Sequence, residues 1–107
     1  VWFKNGLQHR DNDKPAVVYF TGTSEWWFND KFHRKNGPAL IEPGFCVSYF
    51  QNNKPHRTDG PAIELINGVK LWFIDGVGLE EAEHKLVMEA KNNDNIVINN
   101  KKYKVIR

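Results

Sequence analysis

The sequence predicts a mainly β fold, an antiparallel meander of repeated β-hairpins with a period of about 23 residues, followed by a C-terminal helix and a terminal hairpin as a cap. Three observations carry this. The block His-Arg-x-x-Gly-Pro-Ala stands at His33 to Ala39 and again at His56 to Ala62, and a degenerate copy with one extra residue runs from His9 to Ala16. Aromatic pairs precede the blocks, at Trp2-Phe3, Trp26-Trp27 and Tyr49-Phe50, and a fourth pair is Trp72-Phe73. The steps between pairs are 24, 23 and 23 residues. After Leu79, which stands where a fourth histidine would fall, the apolar period changes from two to that of a helix. Residues 1–107 thus read as one domain, with a repeat body over 2–79 and a cap over 80–107.

A unit this short holds two strands and two turns. The runs Ala16 to Phe20, Ala39 to Ile41 and Ala62 to Ile66 are rich in β-branched or aromatic residues and read as strands. Their partners are Glu25 to Phe28, Val47 to Phe50 and Lys70 to Phe73, across turns at Thr21-Gly22-Thr23, Pro43-Gly44 and Asn67-Gly68. One hairpin is marginal in water, so the units stack edge to edge and share the burial of their aromatics, which makes the aromatics core residues first. Gly37 and Gly60 are expected in the left-handed region, with Pro38 and Pro61 leading the chain into a strand. Lys14 replaces that glycine in the first unit, whose inserted residue implies a longer loop. Residues 80 to 91 read as a helix with Leu79, Ala82, Leu86, Val87 and Ala90 on one face, acidic residues in its first turn, Lys91 at its end and Asn92-Asn93 as the stop. Ile96 to Ile98, the turn Asn99-Asn100-Lys101 and Tyr103 to Ile106 form the last hairpin.

Composition is that of an ordinary soluble domain, 40% hydrophobic and 26% charged, with no stretch that approaches a membrane span. Fifteen basic and 13 acidic residues, a net charge of +2, are too balanced to announce nucleic-acid binding. Lys101, Lys102, Lys104 and Arg107 read as a solvated edge that discourages aggregation. One cysteine, Cys46, points to a small apolar filler in a reducing, cytoplasmic setting. No signal-peptide pattern opens the chain. Val at position 1 is expected to reflect a missing initiator or an upstream segment, such as another repeat, that has been removed.

The repeated His-Arg step is the candidate for chemistry. His9, His33 and His56 are of the type that binds zinc, but equivalent residues two strands apart are separated by roughly 10 Å, against ~2 Å from each ligand to a shared metal. No metal or cofactor is therefore expected. His9-Arg10-Asp11 matches a kinase catalytic-loop triplet by accident, since the chain lacks a nucleotide-holding lobe, and no serine or cysteine gains a base. The chain reads as a non-enzyme. In the structural reading, Arg10, Arg34 and Arg57 pair with carboxylates such as Asp11, Asp59, Glu42 or Glu64 or stack on the aromatic rows, while the histidines bond loop carbonyls. In the functional reading Arg10, Arg34, Arg57, His9, His33, His56, Trp26, Trp27 and Trp72 form a binding face, because Arg, Trp and Tyr dominate hot spots.

Aromatic pair, turn, His-Arg-x-Asp-Gly-Pro-Ala, apolar strand and glycine turn, in that order over residues 2 to about 83, resemble the MORN-like repeat proteins of the bacteriophage type. Departures are Lys14 with its inserted residue, Asn36 for Asp, and Asp30-Lys31 or Asn52-Asn53 where the family turn has Asn-Gly. The resemblance implies protein contacts or assembly, and for some members membrane lipids. The leading expectation is a phage-encoded, non-enzymatic protein-binding module in the host cytoplasm, acting on a host or viral protein and inhibiting a bacterial defence protein. The alternatives are a nucleotide or nucleic-acid binder that uses the same Arg and Trp residues, with binding that weakens steeply with salt, and a structural virion component.

Overall fold

The computed structural model describes residues 1–98 and 100–106. In chain order the elements are β1 (Phe3–Lys4), β2 (Leu7–Gln8), β3 (Val17–Val18), β4 (Ser24–Glu25), β5 (Trp27–Phe28), β6 (Lys31–Phe32), β7 (Leu40–Glu42) and β8 (Cys46–Ser48). There follow β9 (Phe50–Gln51), β10 (Lys54–Pro55), β11 (Ile63–Leu65), β12 (Lys70–Ile74), β13 (Val77–Leu79), α1 (Glu81–Glu89), β14 (Asn95–Ile98) and β15 (Lys101–Lys104).

The mainly β antiparallel meander is present. Seven strands form one sheet in the order β13-β12-β11-β8-β7-β4-β3, every neighbour antiparallel. Directly opposed residues share a face. One face thus carries Val18, Ser24, Ile41, Val47, Glu64 and Lys70, and the other Val17, Glu25, Leu40, Ser48, Ile63 and Leu71. Turns at Gly22, Gly44 and Gly68, all at positive φ, lie where the turn residues place them.

Each unit is richer than two strands and two turns. The aromatic pair is split. Trp26 donates its N–H to the Ala39 carbonyl and accepts from the His33 N–H, so the chain leaves the main sheet there and makes a second small hairpin, β5-β6. Tyr49 does the same between Ala62 and His56, and Trp2 between Ala16 and His9. The resulting hairpins β1-β2, β5-β6 and β9-β10, and β12-β13 where the chain stays in the main sheet, fill the stretch that reads as a polar turn. Their central pairs Asn5-Gly6, Asn29-Asp30, Asn52-Asn53 and Asp75-Gly76 all have positive φ, the geometry that fits a two-residue hairpin to the twist of its strands. The second unit's turn is therefore Asn29-Asp30, not Asp30-Lys31.

The second turn residue explains why Asn-Gly is not kept. The N–H groups of Asp30, Asn53 and Gly76 donate to the carbonyls of Gln8, Phe32 and Pro55 in the preceding unit. Asp30 and Asn53 also accept from the Gln8 and Phe32 N–H groups at 2.5 and 2.7 Å. At the third junction Pro55 has no N–H to offer and Gly76 no side chain to receive it. Donor and acceptor are lost together, so no backbone amide is orphaned.

Gly37 and Gly60 are not in the left-handed region; their reason is space. A Cβ on Gly37 would lie 3.0 Å from the Arg34 Cζ, and one on Gly60 2.8 Å from the Arg57 Cζ. In the first unit the longer loop instead places Asn12 and Asp13 at positive φ, conformations their short polar side chains tolerate.

The sheet is thin. Extents of 45 × 35 × 19 Å and a radius of gyration of 15.7 Å exceed the ~13 Å of a compact domain this long. Among the described residues only Ala16, Val17, Ala39, Ala62 and Ile96 are buried apolar residues, and the three alanines are at 0% exposure. The large aromatics do not form an enclosed core. Trp27, Phe32 and Phe50 stack in a half-buried row, with centroids 4.1 and 5.3 Å apart, and Phe28 lies between His9 and His33 at 4.3 and 5.8 Å.

Helix α1 is shorter than 80–91 and is rotated from the expected face. Ala82 and Leu86 are exposed, while His84 is buried with Val87 and Met88 half-buried beside it. The cause is polar. His84 Nε2 lies 2.7 Å from the Arg57 carbonyl, and α1 packs on β12 through this side. The helix starts as the glutamates suggest, with the Glu83 carboxylate accepting from the Glu80 N–H. Lys91 is outside its last turn, and the helix stops at Glu89, ahead of Asn92-Asn93; Ala90 is already extended. The β14-β15 hairpin is present; of its turn Asn99 lies outside the described residues, as does Arg107, and Lys101 belongs to β15.

Candidate functional site

The structure brings the His-Arg residues together with their neighbours in the same way in each unit. Arg10, Arg34 and Arg57 hold their guanidinium carbons 4.1, 4.0 and 4.1 Å from the ring centroids of Trp2, Trp26 and Tyr49. Each donates from Nη1 to a proline carbonyl, of Pro15, Pro38 and Pro61 respectively, at 3.2 Å. In the second and third units the far face of the guanidinium lies against Gly37 or Gly60. The plane is thus held between a ring and a glycine.

The carboxylates differ by unit. Arg57 takes Asp59 at 2.9 Å and Glu64 at 3.3 Å from its own unit. Arg34 has Asn36 and Ile41 at those positions and takes Asp13 of the preceding unit instead, through Nε at 2.8 Å and Nη2 at 3.2 Å. The guanidinium neighbours hold the Asp13 and Asp59 carboxyls below the usual carboxylate range. Asp11 and Glu42 are used elsewhere. Asp11 binds Lys4 and His9, and Glu42 accepts from the Cys46 thiol at 3.3 Å, so Cys46 is a hydrogen-bond donor rather than a plain filler, with burial pushing its thiol up.

The rings of His9, His33 and His56 meet turn amides instead of the expected loop carbonyls. Nδ1 of His9, His33 and His56 accepts the N–H of Asn29, Asn52 and Asp75, at 3.3, 3.1 and 3.0 Å, which is the first residue of the next unit's small turn. An amide only donates, so the His9 and His33 Nδ1 atoms carry the lone pair and the bond needs that nitrogen unprotonated, whereas His56 Nδ1 also lies 3.3 Å from the Asp75 carboxylate. For His33 burial also pushes the pKa below 6.5. The folded state then binds fewer protons than the unfolded state below that value, so stability is full above about pH 6.5 and falls as pH drops toward the folded pKa. Thermal melts between about pH 7 and 5 are expected to show this loss in the wild type. His33→Ala is expected to melt lower at pH 7 and to lose less across the window, so that the two curves converge.

Trp26 and Trp72 are half-buried; Trp26 Nε1 donates to the Asp13 carbonyl and Trp27 Nε1 to Glu25. Lys101, Lys102 and Lys104 lie exposed on β15.

The surface that sequence reasoning missed is at the other end of the sheet. The turns β3-β4, β7-β8 and β11-β12 lie side by side, with Gly22 against Pro43 and the Ile66 N–H bonded to the Phe45 carbonyl. Their tips expose Phe20, Phe45 and Ile66 at 108%, 71% and 73%. Behind them Ile41, Val47 and Leu65 line a shallow groove. The signal was present: large apolar residues inside turn segments, where glycine, proline and asparagine suffice to make the turn.

These features define a mainly β protein with two polarised sheet ends, one stapled by His and Arg, the other apolar and open. No family model, curated protein or solved structure matches the chain. Among the described residues no helix is long and apolar enough to cross a membrane.

Proposed function

We propose that this chain is a non-enzymatic protein-binding module of MORN-like repeats, with α1 and the last hairpin as its cap, and that it engages its partner through the apolar turn tips. The observation that carries the reading is the alignment of Phe20, Phe45 and Ile66 on three adjacent turns. A monomeric soluble surface rarely keeps such residues contiguous without a use. The arginines and histidines are committed to rings, carbonyls, carboxylates and turn amides within the fold. The binding face is accordingly shifted from the His-Arg rows to the tips, with the rows holding the turns in line.

Occlusion of a bacterial host protein by a viral module is the mode of action that the repeat pattern suggests. The test is capture from bacterial lysate by the tagged protein, with proteins and nucleotides both identified. A stoichiometric protein partner is expected, retained by Arg34→Ala and lost with Phe45→Asp combined with Ile66→Asp. Recovery of nucleotide alone, lost with Arg34→Ala and Arg57→Ala, would replace this reading.

A further inference from the structure

The two faces of the seven-stranded sheet differ in charge and in cover. Residues two apart on a strand share a face, so the face of Ser24, Ile41, Val47, Glu64 and Lys70 also carries Trp72. That face is furnished. Arg57 reaches Glu64 there, and α1 packs on β12 beside Lys70 and Trp72. Lys70 is the single basic residue of the seven strands.

The opposite face holds Leu40, Ile63 and Leu71, and the same strands extend it with Glu42, Leu65 and Phe73. Leu65 and Leu71 are 36% and 40% exposed, and Leu40, Ile63 and Phe73 are half-buried. Its charges are all negative. Glu25, opposite Leu40, accepts from Trp27 Nε1 at 3.0 Å and from the Tyr19 hydroxyl at 3.4 Å, and Glu42 accepts from the Cys46 thiol at 3.3 Å. These donors are neutral, and among the described residues neither carboxylate has an ion pair. Half-buried carboxylates beside apolar groups leave a charge that a cation would stabilise.

An apolar sheet face is buried against a second layer, as α1 does for part of the first face. Two copies of the chain meeting through the second face would set Glu25 and Glu42 against their like, and an anionic bilayer meets the same repulsion. We infer that this face takes a basic amphipathic helix of a partner protein, whose apolar stripe covers Leu40, Ile63 and Leu71 and whose Lys or Arg residues meet Glu25 and Glu42. With strands about 4.8 Å apart and about 6.7 Å between residues two apart, the two glutamates are roughly 8 Å apart along a diagonal, a span that basic residues one or two turns apart on a helix can bridge. The inference rests on the protein-binding reading but uses a different surface from the turn tips.

The probe is a capped helical peptide of leucine and lysine, about 18 residues and roughly 27 Å long, with the leucines in one stripe and lysines along its borders. Its control has glutamate for every lysine. Titrated into the whole protein and followed by NMR, the lysine peptide should shift the methyl signals of Leu40, Ile63 and Leu71 and leave those of Ile41 and Val47 in place. Glu25→Gln and Glu42→Gln keep an oxygen for the Trp27 and Cys46 donors, and each should weaken binding about tenfold, the scale of one charge-assisted bond. Glu25→Lys with Glu42→Lys should turn the preference to the glutamate peptide, with thermal melts verifying that each variant folds. Phe45→Asp with Ile66→Asp should leave binding unchanged. No shift at about 1 mM peptide, the weak limit of a specific contact, would overturn the inference. So would equal binding of both peptides, shifts confined to Phe45, Ile41 and Val47 at the turn tips, or the same methyl signals responding to anionic lipid vesicles or to a dimer of the chain in place of the peptide.

Discussion

Gly60→Ala is expected to destabilise the protein by about 1–3 kcal/mol, a fall in Tm of several degrees for a domain this size. Its Cβ would lie 2.8 Å from the Arg57 Cζ and 3.0 Å from Nη1. The end of an arginine moves easily when it is free. This one is fixed from the other side by the Tyr49 ring at 4.1 Å and in its plane by Pro61, Asp59 and Glu64. To admit the methyl, the guanidinium must leave the ring or the loop must open. Backbone strain contributes nothing, because φ at Gly60 is not positive. The two causes are separable by a double-mutant cycle. In an Arg57→Ala background Gly60→Ala should become neutral or gain about 0.5–1 kcal/mol from the smaller entropy of the unfolded chain. An unchanged loss in that background would show that the glycine serves the backbone and not the sandwich.

Ala39→Leu is expected to cost more, about 3 kcal/mol, and to lower Tm correspondingly. Ala39 is fully buried where two sets of bonds meet, its N–H on the Ser48 carbonyl and its carbonyl on the Trp26 N–H. A larger side chain must push apart the main sheet and the small hairpin that branches from it. Among the described residues few other buried apolar groups exist to absorb that strain, since Ala16 and Ala62 occupy the same place in their own units. Chemical denaturation of Ala39→Leu beside Ala82→Leu, an exposed helix position, measures the difference. The control should stay within about 0.5 kcal/mol of wild type, and equal effects at both sites would argue against a core of alanines.

The repeat, its period, the main turns and the antiparallel order were legible because glycine turns and β-branched runs act locally. The small hairpins were not. In β5-β6 and β9-β10 each strand is two residues long, too short for a period to register, and the turns are Asn29-Asp30 and Asn52-Asn53 with no glycine. The residues that chose those turns are Gln8 and Phe32, more than twenty positions upstream, so no local window contains the reason. Gly37 and Gly60 failed for a related cause: a glycine kept for a guanidinium looks, in sequence, the same as one kept for φ. Likewise the helix face followed apolar spacing until His84 found the Arg57 carbonyl. The arginine stacks were legible as an option, whereas Asp13 as the partner of Arg34 depends on the inserted loop.

The bonds between successive small turns give the array a fixed reading order. Asp30 suits only a predecessor that offers an N–H, as Gln8 does, and Gly76 suits only one that lacks it, as Pro55 does. Removing the third unit whole would set Gly76 beside Phe32 and leave the Phe32 amide to water; repeating it would set Asn53 beside Pro55 and leave the Asn53 side-chain oxygen to water, so each loses a hydrogen bond across the junction. Units that look interchangeable by their motif are therefore keyed to their neighbours, and a chain of this kind lengthens or shortens without penalty only when both halves of a junction travel together.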